Sequence, residues 1–212
     1  KEIKPQFHFA ELPVTNAEQL QVKHLSVGYQ YPVLSNLEFG ISGGQRVIIT
    51  GFNGIGKSTL LKTLVGELVP LQGSFRFAEQ AVIGYFAQDL AWADEKKTPM
   101  QAVSDAYPDM AVKEIRKALA RCGISDKHAS QPVGTLSGGE QAKLKLCLLM
   151  RKPSNFLILD EPTNHLDAHA KEALLEALSE FSGTVLLVSH EEVFYKEWAQ
   201  KVSAKVIRVE KK

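Results

Sequence analysis

The sequence has only two cysteines in 212 residues, Cys122 and Cys147, and they lie in no CxxC or metal-ligand spacing. This excludes a disulfide framework and a cysteine-based zinc module. Both fall on apolar faces of predicted helices and are read as reduced packing residues. No apolar run reaches the roughly 18 residues that a membrane helix needs, and the N-terminal KEIKPQFHF lacks the apolar core of a signal peptide. These two absences are read as a cytoplasmic protein without direct membrane insertion. An excess of charge is missing too: 25 Lys and Arg stand against 24 Asp and Glu, a net charge of +1. Bulk attraction to nucleic acid or anionic lipid is thereby excluded, and any such partner must be reached locally. There is no internal repeat and no low-complexity tract. The chain begins at Lys1 rather than Met, which reads as a piece of a longer chain.

What is present is ordinary globular composition. Hydrophobic residues make up 44% and charged residues 23%, far from the signature of disorder, and the length allows one large domain or two small lobes. Residues 1–20, with Pro5 and Pro13 and no sustained period, read as a linker or an arm lying on the domain. Strand patterns cover 21–29, 37–41 and 46–50, followed by a glycine loop from Gly51 and a helix over 57–65. Short strands are expected at 74–77 and 82–86. The segment from about 89 to 150 is helical, with helices over 99–106, 110–122 and from Ser137 to Met150. A strand over 156–160, a helix over 168–181 and a strand over 184–189 close the pattern. The order implies an α/β fold with a parallel sheet and crossover helices, interrupted by a helical lobe.

Three motifs carry chemistry. GFNGIGKST, Gly51 to Thr59, sits between the apolar VIIT and the helix STLLKTLV and satisfies the P-loop pattern. Gly51, Asn53, Gly54 and Gly56 let the backbone wrap a phosphate, and the helix N-terminus at Ser58 and Thr59 adds its positive dipole end. Lys57 would reach the β and γ phosphates of ATP, and the Ser58 hydroxyl would hold Mg²⁺. FLILDEP, Phe156 to Pro162, is an apolar strand that delivers two acids at its C-terminal end, where open α/β sheets bind ligands. Asp160 would hold Mg²⁺, and Glu161 would orient and polarise the attacking water. LSGGEQ, Leu136 to Gln141, repeats the anion-binding logic at a second helix N-terminus. One P-loop needs no second nest, so this one is offered to another nucleotide.

The three motifs, in this order, resemble the ATP-binding-cassette family over about residues 21–209. The resemblance implies a P-loop NTPase of ABC type: a mostly parallel core sheet, an antiparallel β subdomain and an inserted helical lobe. It also implies an ATPase in which ATP lies between the P-loop of one cassette and Ser137, Gly138, Gly139 and Glu140 of a partner cassette. Gln88, in GYFAQ, matches the glutamine that approaches Mg²⁺ and the water, and His190, in LLVSH, matches the switch histidine at the γ-phosphate. Tyr29 resembles the aromatic that stacks on adenine, with Tyr31 as competitor, and Asp167 matches the aspartate of the loop that speaks across the dimer. Lys57, Gln88, Glu161 and His190 form the implied catalytic set.

DEPTNHLD, Asp160 to Asp167, resembles the ABC-F branch, soluble proteins with two cassettes on one chain that act on the ribosome in translation or antibiotic resistance. NLEFGISGGQRVIITGFNGIGKSTLLKTLVGEL is similar to their second, C-terminal cassette, and KPQFHF to the end of the preceding linker. The implied partners are a second cassette, on the same chain or as a homodimer, and the ribosome. An ATPase subunit of a membrane transporter is the alternative. One departure stands out: Glu191 and Glu192 follow His190, where the family usually has an aspartate and an arginine. His8, His24, His128 and His169 lack ligand partners at a useful spacing, and Trp92 and Trp198 read as packing residues.

Overall fold

The near-unbroken apolar runs RVIIT, FLILD and TVLLV have the composition of strands buried on both faces, which only a covered parallel sheet provides. The computed structural model, which describes residues 4–52, 54 and 56–210, puts them side by side. β3 (Arg46–Thr50), β5 (Ile83–Phe86), β6 (Phe156–Asp160), β7 (Thr184–Val188) and β8 (Lys205–Arg208) form one sheet in the order β5-β6-β7-β3-β8, with every pairing parallel. Because all five strands run the same way, their C-terminal ends share one edge. That edge receives the glycine loop after β3, Gln88 after β5, Asp160 and Glu161 at the end of β6, and His190 after β7.

A second, antiparallel sheet of order β2-β1-β4 belongs to the same compact unit: β1 (Glu18–Gly28), β2 (Pro32–Ser42) and β4 (Gln72–Phe77). The helix α1 (Lys57–Leu64) contributes Leu60, Leu61 and Leu64 to one apolar cluster with Leu20, Val22 and Leu25 of β1 and Ile158 of β6. At about 25 cal/mol per Å² of buried apolar surface, burial of this kind supplies the main stabilising term. The unit comprises Glu11–Gln88, Pro153–Glu161 and Ser182–Lys212.

The other unit is helical: Asp89–Lys152, Pro162–Phe181 and the N-terminal arm up to Ala10. It contains α2 (Pro99–Ala106), α3 (Val112–Arg121), the short α4 (Asp126–Ala129), α5 (Gly138–Arg151) and α6 (Ala168–Glu180). Thr98 and Gln101 form a reciprocal capping box that starts α2. The arm is tied to its own unit by backbone bonds from Gln6 N to Arg121 O (2.7 Å) and Ala10 N to Met150 O (2.8 Å). The buried Phe9 packs edge-on to Phe181. The unit thus takes in α6 and residues 4–10 as well as the expected 89–150 segment.

Strand lengths differ from the sequence expectation for a physical reason. β1 and β2 each run 11 residues, but their pairing register shifts repeatedly, and His24 and Asn36 sit at φ 47° and 52°. These bulges break the two-residue alternation on which strand recognition depends. The helix α7 (Glu192–Lys201) and strand β8 went unrecognised, as did α4 and a single 3₁₀ turn at Val133–Thr135. β8 is only four residues long.

Candidate nucleotide-binding site

The site in the α/β unit is built where β3 passes into α1. Gly56 caps α1 with φ 99°, and a Cβ there would lie 2.7 Å from the Val33 side chain, so only glycine fits. With no side chain capping it, the first turn of α1 keeps its backbone N–H groups for an outside acceptor. Lys57 opens that helix buried, and its Nζ donates to the carbonyls of Gly51 (2.6 Å) and Phe52 (2.9 Å). Burial lowers the Lys57 pKa, and the nearby carboxylates of Glu161 and Asp160 pull it part of the way back. Asn53, expected in this loop, lies outside the described residues. Gly54 has φ 77° with open space where a Cβ would stand, and Thr59 is half-buried on α1.

Asp160 is 1% exposed, and neither of its carboxylate oxygens has a hydrogen-bond partner among the described residues. Burial is the main cause that pushes its pKa up to about 6. The Ser58 hydroxyl lies close enough to lower it somewhat, yet the hydrogen bond that the geometry supports runs from Ser58 Oγ to Gln88 Oε1 at 2.8 Å. Ser58, Gln88 and Asp160 therefore offer oxygen donors only, and two of those oxygens are buried without a partner. Such a set suits a hard divalent cation and not a soft one. No cluster of three or more His, Cys, Asp or Glu side chains able to hold a metal occurs among the described residues.

Glu161 follows with φ 47°, a conformation uncommon outside glycine and asparagine, anchored by its N–H donating to Val188 O at 2.8 Å. Its Oε2 faces His190 twice, at 2.9 Å to Nδ1 and at 3.3 Å accepting from the backbone N–H. Oε1 is buried without a partner. When Nδ1 carries the hydrogen, the Nε2 lone pair points away from the pair. Tyr29 and Tyr31, 63% and 78% exposed, both sit in the β1–β2 turn, so exposure does not choose between them.

The remaining predicted residues belong to the helical unit. Ser137 is the N-cap of α5, its Oγ accepting from Glu140 N at 3.2 Å, and Asp167 is the N-cap of α6, accepting from Ala170 N at 2.8 Å. Glu140 is engaged by Lys143 and His128, each at 3.3 Å. Sequence reasoning missed what braces this segment. Trp92 donates to Gln141 Oε1 (2.9 Å), Gln141 donates to Leu136 O (3.1 Å), and Lys145 lies over the Trp92 ring at 4.0 Å. His165 was missed as well: a Cβ on Gly138 would stand 2.8 Å from its Nδ1, and one on Gly139 would stand 2.8 Å from its carbonyl oxygen. The NHLD string placed His165 near the strand acids, but no periodicity links it to residue 138.

The sequence profile described as "ABC transporter" matches residues 34–164. The chain belongs to the ATP-binding-cassette family. It is an ABC ATPase domain, and several of its relatives are named as members of branch F. It is 44% identical over 196 residues to the uncharacterized ABC transporter ATP-binding protein YfmM of Bacillus subtilis, covering 92% of this chain and 38% of that protein. It is 41% identical over 197 residues to ABC transporter F family member 2 of Arabidopsis thaliana, covering 92% of this chain and 29% of that one. The cassette thus spans about a third of the length of these curated relatives. Its fold matches the dimeric post-hydrolysis structure of the ATP-binding cassette MJ0796 bound to ADP and Pi, with a TM-score of 0.74, 20% identity and coverage of 90% and 94%. No helix among the described residues is long and apolar enough to cross a membrane.

Proposed function

We propose that this ABC-F cassette binds Mg-ATP at the C-terminal edge of its parallel sheet and hydrolyses it when a second cassette supplies the LSGGEQ segment. The observation that carries the reading is the pair of buried, unpartnered Asp160 oxygens beside Ser58, Gln88 and the buried Lys57 ammonium. Phosphate oxygens would take the donors that Lys57 now directs at the Gly51 and Phe52 carbonyls, as charge-assisted hydrogen bonds. Ser58 and Asp160, with Gln88 alongside, would hold Mg²⁺, which supplies neutralisation of charge on the phosphate oxygens. Glu161 keeps Oε2 on His190 and has Oε1 left to accept a hydrogen bond from the attacking water. His190, held by that carboxylate through Nδ1, would meet the γ-phosphate with Nε2, which donates to a phosphate oxygen when it carries a hydrogen as well. Tyr29 is the stacking aromatic of choice for the adenine.

Ser137, Gly138 and Gly139 would face the nucleotide of the partner cassette, and Asp167 would lie on the same interface. The MJ0796 cassette, a dimer holding ADP and Pi, supports pairing of this kind. By its likeness to branch F, the chain acts as one of two cassettes of a cytoplasmic protein that works on the ribosome, in translation or antibiotic resistance. In that two-cassette protein, Glu161→Gln together with the equivalent change in the other cassette traps the protein on ribosomes with ATP. Loss of ATP-dependent cosedimentation contradicts the ribosomal part.

Complementation tests the sandwich. Lys57→Ala and Ser137→Arg chains, each inactive alone, should regain activity when mixed, because one interface of the mixed dimer joins an intact P-loop to an intact LSGGEQ. At most about a quarter of wild-type activity returns if sites act independently. With wild-type homodimers active and mixed dimers shown by cross-linking, no recovery at all counts against the shared site.

A further inference from the structure

The near-zero net charge hides a segregation. Between Met110 and Lys152 there are nine Lys and Arg against three Asp and Glu, a balance of +6, so the other residues carry −5 of the total of +1. α3 organises the excess. It buries Ile115, Ala118 and Leu119 on one side, and the opposite side exposes Lys113, Arg116, Lys117 and Arg121 with Glu114 as the lone acid. The spacing of 3, 4 and 8 residues puts these cations along one stripe about 12 Å long at 1.5 Å per residue. At the end of α5, Arg151 and Lys152 are exposed too, and Arg121 and Arg151 stand on the wall of one cavity of about 360 Å³ whose other wall includes Gln6 and His8. The Arg151 guanidinium lies 5.9 Å from the Tyr107 ring centroid, at the outer reach of a cation–π contact. None of the six cations forms an ion pair among the described residues.

We infer that the exposed face of α3, continued by Arg151 and Lys152, is a binding surface for the phosphodiester backbone of RNA. The inference rests on the ribosomal reading only for the choice of RNA; the charge geometry stands without it. Other partners fit less well. A membrane-surface helix needs a free apolar face, and that of α3 is buried in its own unit. A protein partner calls for an apolar or aromatic centre depleted of lysine, whereas here Val112 is the single large apolar side chain exposed on α3. A row of forked guanidinium and mobile ammonium groups suits successive phosphates and reads no base.

The experiment measures binding of the 212-residue chain to a fluorescein-labelled RNA hairpin and to poly-glutamate by anisotropy, from 25 to 300 mM KCl. If all six cations meet phosphates, log K falls against log salt with a slope of about −4 to −5, at roughly 0.7–0.9 per phosphate. The variant Arg116→Gln/Lys117→Gln/Arg121→Gln/Arg151→Gln should shallow the slope by about 3 and weaken binding at low salt at least tenfold, with the thermal midpoint and ATP affinity unchanged. The charge-keeping Arg116→Lys/Arg121→Lys variant should retain the slope. Lys23→Gln/Arg76→Gln, in the antiparallel sheet, should also leave it unchanged. RNA binding that the fourfold variant does not alter overturns the proposal, as do absence of RNA binding by the folded wild-type chain and poly-glutamate bound as tightly as RNA. If the ATP-trapped two-cassette protein fails to sediment with ribosomes while the stripe-dependent slope persists, the ribosomal reading falls and this surface stands. Ribosome capture with no effect of the stripe variants gives the reverse.

Discussion

In the α/β unit, Asp160 and Glu161 keep three carboxylate oxygens buried without a hydrogen-bond partner. In the helical unit, Ser137 and Asp167 each already cap a helix, and Glu140, whose Oε2 is the one carboxylate oxygen of this unit buried without a hydrogen bond among the described residues, still has Lys143 at 3.3 Å from Oε1 and His128 at 3.3 Å from Oε2. The contrast separates two ways of preparing a binding group. Unpaired buried charge costs stability until a ligand compensates it. Caps stabilise their own helices by about 1 kcal/mol each and await only the approach of a partner. The first unit should therefore respond to nucleotide and Mg²⁺ by itself, and the second should matter only to turnover in a pair.

The largest effect that sharpens this contrast is Lys57→Ala. Removing the one fixed cation of the P-loop should weaken ATP binding by on the order of 100-fold or more, measured by calorimetry on the single chain, whereas Ser137→Arg should leave that affinity unchanged. Next comes Glu161→Gln, which keeps the side-chain shape but removes the carboxylate. Turnover of paired cassettes should fall on the order of 100-fold or more while ATP affinity holds. Hydrolysis at the wild-type rate would remove Glu161 from the water-orienting role.

A smaller effect breaks the contrast from the helical side. Alanine is better than glycine inside a helix by about 1 kcal/mol, so Gly138→Ala at the start of α5 would ordinarily stabilise. Its Cβ would stand 2.8 Å from His165 Nδ1, so the helix and His165 must move apart and shift the LSGGEQ backbone: turnover of paired cassettes should fall about tenfold, a rise of roughly 1.4 kcal/mol in the activation free energy, with ATP binding to the single chain intact. His165→Ala in the same chain should restore much of the lost activity. Additive defects in the double variant would mean that the His165 contact does not limit residue 138.

These particulars show how much was legible in the sequence. The P-loop, the strand acids and LSGGEQ stood out because each is a local string joined to an element boundary, and RVIIT, FLILD and TVLLV marked the core because buried parallel strands are continuously apolar. The bulged β1 and β2 blurred because His24 and Asn36 leave the β region and shift the register. Trp92 and Gln141, 49 residues apart, meet only through tertiary folding, as do His165 and Gly138. The basic stripe was hidden by a net charge that averages it against acids elsewhere, among them Glu172 and Glu176, which share Lys4. The unpaired state of Asp160 could not be read from its letter either, since it depends on what the fold leaves out of reach.

That unpaired carboxylate gives the most direct test. Asp160 titrates near 4 when unfolded and near 6 when folded, chiefly through burial. The folded chain therefore holds the proton more tightly, and stability present below about pH 4 is lost as pH rises through 6. The loss is of order 3 kcal/mol at neutral pH, equivalent to roughly 5–10 °C in a chain of this size. Thermal unfolding should be followed in EDTA from pH 5 to 8, then with Mg-ATP, for the wild type and for Asp160→Asn. The account predicts that Asp160→Asn melts roughly 5–10 °C higher than wild type at pH 7.5 in EDTA, loses most of the decline between pH 5 and 7, and is stabilised much less by Mg-ATP. An Asp160→Asn chain that melts lower in EDTA, or gains as much from Mg-ATP as the wild type, would contradict it.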